Sequence, residues 1–180
     1  FSYNGVSIVD GHGATFEEIV KNLKNLMYET AAFIDSDVEG IEMKIHNISE
    51  NGITVFHWDF GNCLETQVAC DLPWYGLERL LFAAADIGNV PICNLYDSIR
   101  SRLNQKTLCY EDNISSWLEN GVPEKEIRMA IGASASKNRW FKTVNKGITL
   151  GNVICTLYDE IENGRLRTVI EDLKNWIYAK

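Results

Sequence analysis

The Asn51-Gly52 pair limits the fold of this chain more than any other short feature of its sequence. It separates two segments, IEMKIHNI and ITVFHWDF, in which apolar and polar residues largely alternate. Asn-Gly between alternating segments is the strongest local indication of a β-hairpin with a two-residue turn. With that turn, Met43 faces Phe60 and the bulky side chains collect on one aromatic-rich face. The pattern therefore predicts an antiparallel hairpin that turns at Asn51-Gly52.

The flanking segments extend this prediction on both sides. The segment LETQVAC, residues 64–70, adds a third strand to give a short β-meander. Before the hairpin, apolar residues recur at mostly helical spacing over residues 15–34, after a capping-box pattern of Thr15 and Glu18. We expect this N-terminal helix to pack on the meander.

The second half of the chain has a helical pattern. From Asp71 onward, apolar residues recur at helical spacing, and Pro73, Pro91 and Pro123 stand where helices start. Strands that precede helices along a chain are typical of α+β domains. With 180 residues, 46% of them hydrophobic, the chain is long enough for one well-buried core. We predict a single α+β domain, residues 1–180, that is β-rich over 1–70 and mainly helical over 71–180.

Charge is distributed unevenly along the chain. The net charge of −8 disfavours nucleic acid as a partner for the whole surface. Residues 1–95 carry 4 basic and 14 acidic side chains, whereas residues 96–180 carry 13 and 11. Residues 127–158 contain no acid and five basic residues: Arg128, Lys137, Arg139, Lys142 and Lys146.

The cysteines and the apolar runs indicate an intracellular protein without a membrane partner. Five cysteines without a C-x-x-C pair argue against a complete disulfide framework and against a zinc ribbon. They favour buried free thiols in a reducing compartment, hence a cytoplasmic protein. The apolar runs are far shorter than the roughly 20 residues that cross a bilayer. The cysteines are Cys63, Cys70, Cys93, Cys109 and Cys155.

No motif in the sequence identifies a catalytic centre, a metal or a cofactor. His46 and His57 face each other across the predicted hairpin, but Cys63 or Glu65 would have to complete a metal site, and no spacing enforces that. The triplet DFG at residues 59–61 matches the magnesium-binding triplet of protein kinases, without the rest of that signature. We therefore expect neither metal nor cofactor, and a non-enzymatic role is favoured while enzymatic activity stays open.

Residues 124–147, EKEIRMAIGASASKNRWFKTVNKG, resemble a helix-turn-helix DNA-binding motif. Pro123 starts a first helix that ends at Ile131, Gly132 stands at the turn, and residues 134–144 form the second helix. The resemblance implies that basic residues of the second helix face phosphates. Arg128 and Asn138 depart from the motif, which has a small and an apolar residue there, so no base-reading role follows.

A looser interpretation needs only a loop of small residues followed by cations and an indole. Backbone amides and cations then hold phosphates, while Trp140 stacks on bases. This predicts contact with RNA or DNA around residues 125–146, with Arg100 and Arg102 as support. The alternative is an inter-helix turn whose Trp140 and Phe141 fill the core. The predicted nucleic-acid-binding residues are Lys137, Arg139, Trp140, Lys142 and Lys146.

A second hypothesis is an acidic protein–protein interaction module. The acidic balance, the missing catalytic motifs and the aromatic-rich hairpin all favour it. Such a module would act as a regulatory, antagonist or immunity-type domain, or as part of a larger assembly. An exposed apolar patch would favour this hypothesis, and a continuous positive groove around Arg139 would favour nucleic acid.

Overall fold

The computed structural model describes residues 5–11, 13–103, 113–162 and 164–179, and these residues are mostly helical. In chain order the elements are α1 (Phe16–Asn25), β1 (Ala31–Ile34), α2 (Ile41–Glu50), β2 (Thr54–His57), α3 (Leu64–Asp71), α4 (Trp74–Gly88), α5 (Ile92–Arg100), α6 (Ile114–Glu119), α7 (Glu124–Lys137), α8 (Val144–Leu157) and α9 (Arg165–Tyr178). Short 3₁₀ turns precede α1 at Gly13–Thr15 and follow α8 at Tyr158–Glu160.

Contacts group the chain into two compact units. The first unit contains residues 1–62 and 165–180, and the second contains residues 63–164. The first unit is therefore discontinuous in sequence, because its last helix follows the whole of the second unit. In the part of the chain that the structure describes, no helix is long and apolar enough to cross a lipid bilayer.

The strands of the first unit form a two-stranded parallel sheet, in which Phe33 lies opposite Phe56. Helix α2 makes the crossover that a parallel connection requires. The predicted antiparallel meander is therefore wrong. The predicted α+β class is wrong as well, because the described residues are mostly helical and their strands form only this small parallel sheet. Asn51-Gly52 ends α2 instead of joining two strands: the Asn51 N–H donates to the Ile48 carbonyl at 3.1 Å, and Gly52 has a φ of 68°. Glycine in this left-handed conformation is a common helix terminator.

Burial decides between the two periodicities of residues 41–48. Ile41, Ile45 and Ile48 recur at helical spacing, and all three are buried in the hydrophobic cluster of the first unit. Met43, which a strand would have placed with Ile41 and Ile45 on the inner face, is 71% exposed. A helix buries all three isoleucines, whereas a strand would bury only two of them on one face. Burial of apolar side chains therefore favours the helix.

Two further predictions for the first 70 residues are wrong. The N-terminal helix ends at Asn25 rather than at residue 34, because Met27 adopts a left-handed φ of 65° and the chain then enters β1. The predicted third strand is helix α3, whose residues from Glu65 to Ala69 are all buried. A segment buried on every side carries no clear alternation, and its type cannot be told from periodicity alone.

Helix α9 completes the first unit by packing on β2. The rings of Phe56 and Trp176 meet edge to face, with centroids 6.4 Å apart. The Arg165 Nε donates to the carbonyl oxygen of His57 at 2.9 Å. These contacts place the C-terminal helix against a strand from the N-terminal third of the chain.

The second unit consists of helices α3 to α8. The helix starts predicted at proline are confirmed, since Pro73, Pro91 and Pro123 are the N-caps of α4, α5 and α7. Helix α7 packs on α3, α5 and α6, and α4 packs on α5 and α8. The large side chains that are fully buried here are Leu72, Leu77, Leu80, Leu81, Ile99, Ile114, Trp117, Ile127, Ile131, Leu157 and Ile161.

Candidate interaction surface

Helix α7 runs without interruption through the small residues that suggested a turn. Gly132 lies inside Glu124–Lys137 and is buried. A Cβ built on Gly132 would lie 2.4 Å from the Cα of Thr66, so α7 and α3 approach each other closely at this point. The helix-turn-helix interpretation needs a turn at Gly132 and is therefore wrong. Glycine stands here because another helix backbone occupies the place of a side chain.

Arg128 has a structural role at the C-terminal end of α3. Its Nη1 donates to the carbonyl oxygens of Ala69 and Leu72, both at 2.8 Å, and of Cys70 at 3.2 Å. The last carbonyls of a helix have no partner within the helix, so a cation there satisfies them and interacts favourably with the helix dipole. The guanidinium also lies 5.6 Å from the ring centroid of Trp74. These bonds explain why an arginine stands where the helix-turn-helix motif has a small residue.

The turn between α7 and α8 buries its aromatic residues. Trp140 is 8% exposed and Phe141 is 6% exposed. The Trp140 N–H donates to the Ala135 carbonyl at 3.0 Å, after Arg139 adopts a left-handed φ of 56°. The indole thus packs in the interior, as the inter-helix-turn alternative expects, and presents little of its face at the surface.

The four basic residues of the predicted nucleic-acid site lie around this turn. Lys137, Arg139 and Lys142 are exposed, and Lys146 is half-buried in the first turn of α8. The Lys142 Nζ lies 3.7 Å from a carboxylate oxygen of Glu65, which is only 4% exposed. The five predicted nucleic-acid-binding residues therefore consist of four basic side chains around the turn and one buried aromatic side chain, Trp140.

Arg100 and Arg102, the two arginines expected to support nucleic-acid binding, form hydrogen bonds with residues of helix α5. Arg100 pairs with Asp97 one turn earlier. The Nη1 of Arg102 donates to the Ser98 carbonyl at 2.9 Å. Both bonds are local, so they hold the side chains along α5 and its C-terminal turn.

Helix α8 carries a surface that the sequence did not single out. Leu150 and Leu157 are buried, whereas Val144 is 81% exposed and Ile148 is 57% exposed. Cys155 is also exposed, as a free thiol. At 100° per residue, the side chains of Val144, Ile148 and Cys155 lie within about 40° of one another. They form a narrow apolar stripe on the side of the helix opposite its buried leucines.

Gly151 forms a hollow within this stripe. A Cβ built on Gly151 would meet no atom of the described residues within 4 Å, so their packing does not require a glycine there. We refer to Val144, Ile148, Gly151 and Cys155 together as the α8 stripe. Their spacing of four, three and four residues keeps them on one helical face.

The two ends of α8 carry opposite charge. Arg139 and Lys142 precede the helix, and Asp159 and Glu160 follow it, and all four are exposed. The Glu160 carboxylate accepts a hydrogen bond from the Tyr75 hydroxyl, and this bond raises the pKa of Tyr75. The helix that carries the α8 stripe is therefore preceded by basic residues and followed by acidic ones.

A separate cleft of about 480 Å³ opens beside Trp74 and Arg128 in the second unit. Four acidic side chains and the Arg128 guanidinium are among its lining groups. The Arg128 Nε donates to Glu124 at 2.7 Å, and the Gln67 amide donates to Asp71 at 3.0 Å. The remaining acidic lining residues of the cleft are Glu160 and Glu162.

The histidines are not brought together. His46 lies on α2 and pairs with Glu50 at 3.1 Å, while His57 lies on β2 and stacks on Phe60 with ring centroids 5.0 Å apart. The predicted pairing across a hairpin is wrong, because the hairpin itself is absent. Within the described ranges, no group of three or more His, Cys, Asp or Glu residues could hold a metal ion.

The cysteines differ in exposure more than the sequence suggested. Cys63 is buried and Cys70 is half-buried, whereas Cys93 and Cys155 are exposed. Cys109 lies outside the described residues. The expectation of buried thiols therefore holds for Cys63, and it is wrong for Cys93 and Cys155.

No protein-family model, curated protein sequence or solved structure matches this chain. Its function is therefore inferred from its own residues.

Proposed function

We propose that this chain is a non-enzymatic protein-interaction module whose docking surface is the α8 stripe. The observation that supports this proposal is the exposure of Val144 and Ile148 on a helix whose opposite side is anchored by buried leucines. Single apolar residues at a protein surface are ordinary. Three of them aligned on one helical face are typical of helices that dock against a partner.

Burial of Val144 and Ile148 would make a measurable contribution to such a contact. Full burial of an aliphatic side chain contributes about 1.5–3 kcal/mol. Val144 and Ile148 are already partly covered, so their further burial contributes about 3 kcal/mol together, or roughly 100-fold in the dissociation constant. The net charge of −8 also suits a protein partner better than a polyanion.

The experiment compares the proteins retained by three immobilised forms of the chain. Ile148→Glu places a carboxylate in the middle of the α8 stripe. Met43→Glu is the matched control, because Met43 is also an exposed apolar residue in a helix and lies in the other unit. We expect partner proteins, quantified by mass spectrometry, to bind the wild type and Met43→Glu and to be lost from Ile148→Glu. If all three forms retain the same proteins, the α8 stripe is not the docking surface.

A second candidate function is contact with RNA or DNA through Lys137, Arg139, Lys142 and Lys146. Its support is the exposure of the first three side chains in a window of the sequence without acids. Because Trp140 is buried, binding would depend on phosphate contacts rather than on base stacking. Such binding is independent of base sequence and weakens steeply with salt.

This candidate is tested by fluorescence anisotropy with labelled single-stranded RNA and DNA at increasing salt. Lys137→Ala and Arg139→Ala should each reduce the slope of log affinity against log salt by about 1. The control is Lys21→Ala, which removes an exposed lysine of the first unit and should leave the slope unchanged. Affinity that stays constant between low and moderate salt would exclude a phosphate-binding function.

A further inference from the structure

We infer that the partner covering the α8 stripe is a second copy of this chain, with its α8 antiparallel to the first. This inference rests on the proposed function, because both use the α8 stripe.

The shape of the α8 stripe is complementary to itself. When two α8 helices pair antiparallel about a two-fold axis, Ile148 faces Gly151 of the second copy and Val144 faces its Cys155. In the part of the chain that the structure describes, no atom lies within 4 Å of a Cβ built on Gly151, so this position is an open hollow that the Ile148 side chain of the other copy can fill. Each large residue then faces a small one, and the symmetry repeats both contacts.

The charges at the ends of α8 select the antiparallel direction. Arg139 precedes the helix and Asp159 follows it, and both are exposed. Lys142 and Glu160 lie at the same two ends but contact Glu65 and Tyr75 of their own chain. Antiparallel pairing brings the basic end of one copy to the acidic end of the other at both ends of the contact. Parallel pairing would bring like charges together and would align the two helix dipoles unfavourably.

A second copy explains these features better than an unrelated partner. A surface that binds an unrelated protein needs to complement only the surface of that protein, and it has no need to complement itself. The α8 stripe carries both a large residue and a hollow, and the segments that flank α8 carry both a cation, Arg139, and an acid, Asp159. A surface that complements itself under a two-fold rotation is the property of an isologous dimer interface.

The contact is small enough for the dimer to be reversible. Helix α8 has 14 residues and a length of about 21 Å. One helix pair covers less than the roughly 800 Å² per partner of a typical stable complex. We therefore expect a weak dimer, in which monomer and dimer exchange as concentration changes.

Analytical ultracentrifugation over a range of concentrations tests the dimer. The wild type and the Met43→Glu control should rise in weight-average mass from 20.4 kDa towards twice that value. Ile148→Glu should need at least a ten-fold higher concentration to dimerise, because its carboxylate would enter the Gly151 hollow twice. Ile148 is more than half exposed and glutamate is a good helix former, so an unchanged far-UV circular dichroism spectrum is expected. A wild type that stays monomeric, or an Ile148→Glu variant that dimerises like the wild type, would overturn the inference.

Disulfide trapping tests the direction of the helices. In the antiparallel pair, Val144 of one copy lies opposite Cys155 of the other, so Val144→Cys should form a covalent dimer when diamide takes up the two thiol hydrogens. The two Cys155 side chains are then about 16 Å apart along the helix, too far for a disulfide with each other. Peptide mapping should place the bond at position 144 and Cys155, and adding Cys155→Ser should remove it. A wild-type dimer linked through Cys155 of both copies would show parallel helices and overturn the inference.

The two proposals fail in different ways. If the wild type is monomeric but loses a partner protein on Ile148→Glu, the second copy is wrong and the docking surface stands. If Ile148→Glu changes neither the mass nor the retained proteins, the α8 stripe is not an interaction surface and both fail.

Discussion

The close approach of α7 and α3 makes Gly132→Ala a sharp test of the helix packing. In an isolated helix this substitution is favourable, because alanine has a helix propensity about 1 kcal/mol better than glycine. Here the new methyl would lie 2.4 Å from the Cα of Thr66, which belongs to a helix backbone and cannot rotate away. Overpacking a core costs about 1–3 kcal/mol, and a backbone neighbour places Gly132→Ala at or above the upper end of that range. After the gain in propensity, we expect a net loss of about 2 kcal/mol in the free energy of unfolding.

The assay is urea denaturation followed by circular dichroism and tryptophan fluorescence. A loss of 2 kcal/mol lowers the midpoint by about 1 M for a denaturant slope of about 2 kcal/mol/M. Gly147→Ala in α8 is the matched control, because its Cβ would meet only the Phe141 carbonyl oxygen, at an ordinary 3.8 Å. That variant should be unchanged or more stable. A Gly132→Ala protein as stable as the wild type would refute the proposed contact between the two helices.

Three further predictions concern individual side chains, the first two measured by the same denaturation assay. Arg128→Lys should lower the free energy of unfolding by about 1–2 kcal/mol, because an ammonium cannot reproduce the guanidinium bonds to the end of α3, and unchanged stability would contradict the capping role. Ser134→Ala should raise it by about 1 kcal/mol, since the buried hydroxyl has no hydrogen-bond partner among the described residues; a loss of stability would reveal a partner. Glu160→Gln should lower the pH at which Tyr75 titrates, because the hydrogen bond to the Glu160 carboxylate raises the pKa of Tyr75. The titration is measured by absorbance at 295 nm, and the Tyr75 signal is obtained as the difference from Tyr75→Phe. The stabilisation linked to that bond is present below about pH 10 and is lost as pH rises through the higher folded pKa, so an unchanged midpoint would refute the bond.

The sequence predicted the helices of the second unit better than the elements of the first. Proline fixes a helix start through its own backbone geometry, so Pro73, Pro91 and Pro123 indicated the right positions without any tertiary information. Asn51-Gly52 is different, because a left-handed residue serves both a tight hairpin turn and a helix end. Local sequence does not distinguish these uses. Only the burial of three isoleucines against α1 and the sheet decides between them.

The candidate surface was predictable only in part. The cations around the α7–α8 turn follow directly from their sequence, but the burial of Trp140 depends on the packing of both helices. Residues 144–151 contain two glycines, which weakened the helical pattern and hid the apolar alignment of Val144 with Ile148. Once α8 is known to be a helix, the spacing of Val144, Ile148 and Cys155 identifies the face that they share. The solvent exposure of these side chains then shows that the described residues leave this face largely uncovered.

The discontinuous first unit sets an order of events during synthesis on the ribosome. Strand β2 is packed by α9, yet about 100 residues separate the two in the chain. At elongation rates of about 5–20 residues per second, the N-terminal segment waits roughly 5–20 s for its last helix to be made. The second unit is continuous and has all of its residues before that moment, so it can fold first. Until α9 emerges, Phe56 lacks the Trp176 ring that packs against it in the folded first unit.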